Sequence, residues 1–406
     1  MRWPGAWKNP AALDILKGTA IDYLLIGKGQ EYAAVRERAR QIGLHLAESD
    51  AAPPGVEIVK GEWPGVKMAR GSDEVTGGPT GVPWVDSNGW AIRLALAFHP
   101  TADVWVDVAP AEKTVITADA YQVAVADSAA YGGRWIISLD HPLAESLMAG
   151  QAEALAIWKT MAATAGFFAA RKEWAGYAPL AVMGVVSDFR GDNEFFSHEL
   201  LNLLARAGAH YRILPKDGIS AASFASLRAV TYTDAEPPSP ALRKQVLEFV
   251  AGGGTLIAAP SWGAVEGRPL PVRADEIPRF SLSSVGNGKV ALAKAAPDDP
   301  YMWAGATVVL VSHRYDLVRF WNGGATGSFC TVSPDGKQVI AHLLFYFSGG
   351  PDTATVQVAG RYRSVKASTV ERPVLANVVV KQQPDAIEVH LPPVSQYVAL
   401  QLQVST

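Results

Sequence analysis

The chain has 406 residues, of which 49% are hydrophobic and 18% are charged, and its formal net charge at pH 7 is −3. This length exceeds what one small core needs, so we expect two or three folded domains. The charge is nearly balanced and no Lys/Arg-rich block occurs. These features exclude nucleic acid and anionic membranes as main partners.

Three further features of the sequence disfavour a membrane-spanning, a disulfide-bonded and a signal-bearing chain. No apolar run approaches the roughly 18 residues of a membrane span. The single cysteine, Cys330, excludes an internal disulfide and a cysteine-based metal site. The opening sequence MRWPG lacks the apolar core of a signal peptide. Localisation stays open: periplasmic or secreted if a signal peptide has been removed, otherwise cytoplasmic.

The first 140 residues repeat a pattern of short β-branched runs, each followed by an acidic or polar residue and then a turn or an amphipathic stretch. Amphipathic helices are predicted at residues 30–41 and 88–97, and an Ala-rich helical stretch at 143–174. This alternation predicts a small or irregular TIM-like (β/α) barrel over residues 1–176, which we expect to be the catalytic domain. We predict strands at residues 21–27, 43–49, 56–60, 83–86, 102–108, 121–127 and 134–139, with 66–68 as a weaker candidate.

Two further units follow the barrel. Strands alternate with helices from residue 181 to 260, which predicts a doubly wound, flavodoxin-like domain over residues 177–313. After residue 314, closely spaced alternating strands such as TVQVA at 355–359 predict a C-terminal β-sandwich over residues 314–406. The predicted fold class is therefore α/β, in three parts.

Sequence segments of the middle unit resemble a known family. GVVSD at 184–188, LLNLL at 200–204 and FVAGGGTL at 249–256 are similar to the glutamine-amidotransferase-like domain of family 42 glycoside hydrolases, the β-galactosidase-like multidomain barrel proteins. The resemblance implies that this domain is non-catalytic and serves assembly, so a homo-oligomer is expected. It also implies a glycosidase barrel, although the Asn-Glu pair that supplies the acid of that family has no counterpart here.

Glycoside hydrolysis needs two carboxyl groups, and the ends of barrel strands supply them. Counting strands as in the related barrel hydrolases favours Asp86 and Asp140 as catalytic acids, with Glu62 in reserve. On that hypothesis Asp86→Asn or Asp140→Asn abolishes turnover while the fold survives. The alternative role for each of these two acids is that of a helix N-cap. The candidates after predicted strand ends are Glu48, Asp50, Glu62, Asp86, Asp107, Asp127 and Asp140.

Aromatic and amide side chains near these acids are candidates for contacts with sugar, since an indole face suits the C–H face of a pyranose ring. The alternative for each tryptophan is a place in the core. The predicted substrate-binding residues are Trp63, Trp84, Asn88, Trp90, His141 and Glu48.

The sequence thus yields two functional hypotheses. The first is a glycoside hydrolase acting on a carbohydrate substrate; the alternative is a non-catalytic carbohydrate-binding or assembly protein that retains the glycosidase architecture. The eight His residues are dispersed, and no Cys-x-x-Cys, calcium loop or phosphate-binding motif occurs, so we expect no metal or other cofactor. No Gly-x-Ser-x-Gly elbow supports a serine hydrolase.

Overall fold

A computed structural model describes residues 1–49, 51–71, 74–271 and 279–405 and shows a mixed α/β protein. The described residues of 1–176 form eight strands and five α-helices, besides short 3-10 helices. The strands are β1 Tyr23–Ile26, β2 His45–Glu48, β3 Val56–Lys60, β4 Val66–Arg70, β5 Val75–Pro79, β6 Asp103–Asp107, β7 Thr114–Ile116 and β8 Arg134–Trp135. The helices are α1 Ala33–Gln41, α2 Gly89–Phe98, α3 Ala118–Ala130, α4 His141–Met148 and α5 Ala152–Ala169.

Two of the predicted strands are wrong. Residues 83–86 form an irregular loop, and residues 121–127 lie inside α3. This helix is buried on nearly every side and is rich in alanine, so its sequence shows apolar residues without the 3.6-residue period of a surface helix. A continuous apolar run of that kind is indistinguishable from a buried strand by periodicity alone. The weaker candidate at 66–68 is confirmed as part of β4.

The first residues of the chain join two small parallel sheets into one. Arg2 forms a parallel bridge with Leu25 of β1, and its backbone N–H donates to the carbonyl of Ile137, just beyond β8. The resulting order is β2, β1, residues 1–3, β8, β6, β3. Starting from residues 1–3, the strands on one side follow in chain order as β1 and β2, and those on the other side, read from the far end, as β3, β6 and β8. A sequential barrel would have the same order if β2 also paired with β3. A separate sheet has the order β4, β5, β7.

The middle part contains one sheet with the order β11, β10, β12, β13, β16, β15, β14, in which the first five strands are parallel. The strands are β10 Met183–Ser187, β11 Tyr211–Pro215, β12 Ala229–Tyr232, β13 Thr255–Ala258, β14 Arg268–Pro269, β15 Phe280–Val285 and β16 Gly288–Ala293, preceded by the short β9 Ala178–Pro179. The helices are α6 Glu194–Arg206, α7 Pro240–Ala251 and α8 Pro300–Val311. Separate apolar clusters, one with α6 and α8 and the other with α7, pack on this sheet.

The last part contains two antiparallel sheets, ordered β17, β20, β23, β22 and β21, β24, β19, β18, β9. The strands are β17 Val318–Phe320, β18 Thr326–Val332, β19 Gln338–Phe345, β20 Ala354–Ala359, β21 Tyr362–Ser368, β22 Val379–Gln382, β23 Ala386–Leu391 and β24 Tyr397–Val404. Val356 and Val389 from one sheet and Leu343 and Leu400 from the other belong to one buried cluster. In the described part of the chain, no helix has the length and apolarity that crossing a bilayer requires.

Candidate active site

The loop after β3 is fixed by the side chain of Asn88. The Nδ2 of Asn88 donates to the carbonyl of Glu62 (2.9 Å), and its Oδ1 accepts from the backbone N–H of Glu62 (2.8 Å). Asn88 is 3% exposed, so the amide that we predicted to contact substrate is used to hold this loop. The carboxyl group of Glu62 remains exposed at the carboxyl end of a parallel strand.

Asp86, in the loop before α2, contacts the end of α6. Its Oδ1 forms an ion pair with the guanidinium of Arg206 and accepts a hydrogen bond from Nδ2 of Asn202 (3.1 Å). Residues 202 and 206 are one helical turn apart, so both side chains reach the same acid. The Oδ1 of Asn202 has no hydrogen-bond partner among the described residues, which leaves an acceptor beside Asp86.

Arg206 connects the two acids. Burial lowers the pKa of its guanidinium, and the nearby Glu62 carboxylate raises it. The guanidinium also donates through Nε to the carbonyl of Val85 (3.2 Å) and lies 4.5 Å from the ring centroid of Trp84. One cation that lies against an indole is therefore in contact with Asp86 and is influenced by the charge of Glu62.

A cleft of about 470 Å³ opens beside this cation, between the loop of Trp84 and helix α8. The Trp84 and Tyr301 rings are 52% and 57% exposed and their centroids lie 5.7 Å apart, tilted by 42°. Large aromatic side chains at such exposure are placed to receive a ligand. The sequence analysis missed Arg206, Asn202 and Tyr301, because they come from a distant part of the chain.

A second polar group lies on the sheet of residues 1–3. Arg2 donates to Oδ2 of Asp107 (2.9 Å) and to Oγ of Ser138 (2.9 Å), while Oδ1 of Asp107 has no partner among the described residues. Asp107 was one of the seven predicted candidates. It ends β6, and its direct ion pair with Arg2 joins residues 1–3 to β6, on either side of β8.

Asp140 lies apart from the Arg206 group and caps α4. Its Oδ1 accepts from the N–H of Leu143 (2.9 Å), and its Oδ2 accepts from the N–H of Ile116 (3.2 Å) and the hydroxyl of Tyr121 (3.0 Å). The residue is 2% exposed. The structure thus shows the capping arrangement that the sequence left as one of two interpretations.

The other predicted site residues are dispersed. Trp63 is 8% exposed and packs against Tyr121 and Trp135, and the ring of Trp90 lies 5.3 Å from that of His198, tilted by 46°. Glu48 pairs with Lys28 at the surface. His141 pairs with Glu145 (3.3 Å) at the edge of an open cleft of about 1050 Å³ beyond β6 and β8. Asp50 lies outside the described residues.

Replacing Asp140 tests its structural role. Asp140→Ala removes an N-cap, leaves the buried N–H of Ile116 without its acceptor and takes from Tyr121 the shorter of its two hydrogen bonds to an acceptor. We expect a loss of about 2–4 kcal/mol in the free energy of unfolding, measured with urea. The control is Ser239→Ala, which removes the exposed N-cap of α7 and costs about 1 kcal/mol. Equal losses from the two variants would contradict this interpretation.

Asp127 is the buried acid that holds the backbone of Asn88. It is fully buried in α3 and accepts from the hydroxyl of Tyr346 (2.7 Å) and from the N–H of Asn88 (3.1 Å), and none of its partners among the described residues is a cation. Burial raises the pKa of its carboxyl group to about 6, against the opposing effect of the bonds from Tyr346 and Asn88. The folded protein therefore holds this proton more tightly than the unfolded chain does.

This raised pKa predicts a pH-dependent stability. Between pH 4 and 6 the unfolded chain releases the Asp127 proton and the folded protein retains it, so the contribution of Asp127 is lost as the pH rises through that window. The cost of Asp127→Asn in the free energy of unfolding should be greatest near pH 4 and fall by up to about 3 kcal/mol by pH 7. Urea titrations at each pH measure it.

The matched control is Asp335→Asn. A hydrogen bond from Ser333 lowers the pKa of Asp335, so the cost of that substitution should grow, not shrink, as the pH rises. A cost of Asp127→Asn that is constant from pH 4 to pH 7 would contradict the expectation.

A third polar group lies at the carboxyl edge of the middle sheet. Asp188, Asp234 and Glu236 bring carboxylate oxygens within 4.8 Å of one another, an arrangement that can hold a cation. The ammonium of Lys216 already contacts Asp188 (3.0 Å) and Asp234 (2.6 Å), and these bonds raise its pKa against the opposing effect of burial. The lysine supplies the positive charge in this group.

No protein-family model and no curated protein matches the chain. Solved structures with some likeness include α-L-fucosidase isoenzyme 2 from Paenibacillus thiaminolyticus (11% identity, TM-score 0.48, 75% of this chain and 60% of that one). Others are a β-galactosidase from Rahnella sp. R3 (11%, 0.49, 78% and 57%) and the GH42 β-galactosidase Gan42B from G. stearothermophilus (9%, 0.44, 70% and 51%).

The chain thus spans less than two thirds of the length of each of these three structures. At such identities, and with TM-scores below 0.5, the likenesses assign neither a family nor an activity to the chain. Its function has to be argued from its own residues.

Proposed function

We propose that this protein is a glycoside hydrolase in which Glu62 and Asp86 form the pair of catalytic carboxyl groups. The observation that carries the proposal is that both acids interact with the guanidinium of Arg206, Asp86 through an ion pair and Glu62 through the effect of its charge, beside an exposed indole and an open cleft. Two carboxyl groups separated by the width of a sugar linkage are the requirement of glycoside hydrolysis. An aromatic face adjoining them is the usual support for a pyranose ring.

The architecture that we propose agrees with this chemistry. Residues 1–176 form a small, open TIM-like barrel, residues 177–313 a flavodoxin-like domain, and residues 314–406 a β-sandwich. The ring-like strand order of the first part, the order β11, β10, β12, β13, β16 of the middle sheet, and the core shared by the last two sheets support these assignments. Glu62 then lies at the carboxyl end of a barrel strand, where barrel enzymes place their catalytic groups.

The surroundings of the two acids suggest their roles. Asp86 contacts a guanidinium, which favours the charged form of a carboxyl group, so we assign Asp86 as the nucleophile or the base. The remaining role, that of the proton donor, is then assigned to Glu62, the exposed member of the pair. In the reaction, Glu62 gives its proton to the glycosidic oxygen as the C1–O bond breaks. Asp86 attacks C1, or takes a proton from the water that does so.

Other predicted residues take supporting places in this proposal. Trp84 contacts the substrate, and Asn88 is a positioning residue that holds the Glu62 loop. Asp140 has a structural role, as the N-cap of α4. Trp63 and Trp90 belong to the packing around the site, while Glu48 and His141 pair with Lys28 and Glu145 at other places on the surface.

The test is a panel of 4-nitrophenyl glycosides covering common sugars in both anomeric forms. Glu62→Gln and Asp86→Asn should each lower kcat/KM by about 10²–10⁴-fold on any glycoside that the wild-type protein cleaves, because each removes a group that transfers a proton or attacks C1. Melting temperatures measured by circular dichroism establish that the variants are folded.

Glu74→Gln is the matched control, since Glu74 is another exposed glutamate of the same part of the chain and lies at the larger cleft. It should leave kcat/KM unchanged. Full activity in a folded Glu62→Gln or Asp86→Asn variant would refute the assignment of that residue. Sugar binding without turnover of any glycoside would favour the carbohydrate-binding alternative.

A further inference from the structure

The cleft beside Arg206 differs in character from the acid pair that adjoins it. Apart from Arg206 and Arg279, the side chains that line it are apolar or aromatic, and they include Trp84, Phe280, Tyr301 and Val309. Sugar hydroxyls need hydrogen-bond partners when they are buried, and each one left unpaired costs binding energy. This lining offers few such partners.

The two cations of the cleft already have anionic partners. Arg206 pairs with Asp86, and Arg279 pairs with Asp298 (3.0 Å). The described residues that line the cleft therefore offer no unmatched charge that would select an ionic ligand. A volume of about 470 Å³ lies within the range of sites for small organic molecules.

Helix α8 forms one wall, and its outward side is unusually apolar. Tyr301, Met302 and Val309 are 57%, 44% and 52% exposed, although exposed positions of a surface helix are normally polar. Gly305 lies among them, and a Cβ added there would meet no atom within 4 Å. The helix thus presents an aromatic and aliphatic surface with an open notch at its centre.

We propose that this cleft binds the leaving group of the substrate, and that this group is an uncharged aromatic aglycone lying on Trp84 and Tyr301. The substrate class is then aryl glycosides, with the sugar beside Glu62 and Asp86. This inference rests on the proposed function for the cleavage step, whereas the binding of an aromatic alcohol to the cleft does not depend on it. Continuity supports the assignment, because Arg206 contacts both Asp86 and the Trp84 ring.

The binding test uses 4-methylumbelliferone as the probe in equilibrium dialysis against the full chain. Trp84→Ala and Tyr301→Ala should each weaken binding by about tenfold, since each removes one aromatic face. The control is Trp321→Ala, because Trp321 is equally exposed, at 52%, but lies on the C-terminal part outside the cleft. It should leave the dissociation constant unchanged.

A second variant fills the cleft without removing either ring. Gly305→Leu places a side chain in the notch and should abolish probe binding. Gly166→Leu is the matched control, since Gly166 also lies within a helix and has nothing within 4 Å of an added Cβ. Unchanged binding in Gly305→Leu overturns the inference. So does a wild-type protein that sediments as a dimer through this face, which Gly305→Leu would show by dissociating it.

Kinetics separate this inference from the proposed function. If both are right, Gly305→Leu raises KM for 4-methylumbelliferyl glycosides and leaves KM for the methyl glycoside of the same sugar unchanged. Probe binding that depends on Trp84, without turnover of any glycoside, overturns the hydrolase and retains the aromatic site. Turnover that depends on Glu62 and Asp86, without probe binding or a preference for aryl substrates, overturns the aromatic site alone.

Discussion

The candidate site depends on the hydrogen bonds of one buried amide. Asn88 binds the backbone of Glu62 through both atoms of its side-chain amide, and its own N–H is held by Asp127. The loop that carries Trp84 and Asp86 ends at Asn88, so this residue fixes the loops of both acids relative to each other. Through Tyr346 the same network reaches the C-terminal sheets. The geometry of an exposed pair of acids is thus set by buried polar groups, whose bonds are strong in a medium of low dielectric constant.

The same network has an energetic cost. In the part of the chain that the structure describes, Asp127 accepts only from neutral donors, and its burial disfavours the charged form and raises its pKa to about 6. The polar group around Lys216 in the middle part is the opposite case, because there a cation lies among the carboxylates of Asp188 and Asp234. The cost of burying a carboxyl group is met at Asp127 by a raised pKa, and around Lys216 by ion pairs. The first therefore ties the loops of the proposed site to pH, and the second does not.

Local patterns predicted much of the fold. The β-branched runs at 56–60 and 102–108 are strands, and the periodic stretch at 88–97 is a helix, because each had a clear period and a turn at its end. Helix α3 was mistaken for a strand because burial on all sides removes the period. Residues 83–86 were also mistaken for a strand, although the loop that they form carries Trp84 and Asp86. Strand counting therefore selected Asp86 for a reason that the structure does not support.

The site was predictable only in part, for a related reason. Glu62, Trp84 and Asp86 lie close in sequence, so local motifs could identify them. Arg206 and Tyr301 come from helices more than a hundred residues away, and nothing in a single sequence pairs them with Asp86. For Asp140, capping and catalysis require the same residue type at the same position. Only its three accepted hydrogen bonds and its burial distinguish the two.

The most direct measurement is a crystal structure of the Glu62→Gln variant with an intact aryl glycoside. The account predicts that the anomeric carbon lies between residues 62 and 86, with the aromatic group on Trp84 and Tyr301. A glycoside bound instead in the larger cleft by His141 and Glu145, with Asp86 out of its reach, would contradict it.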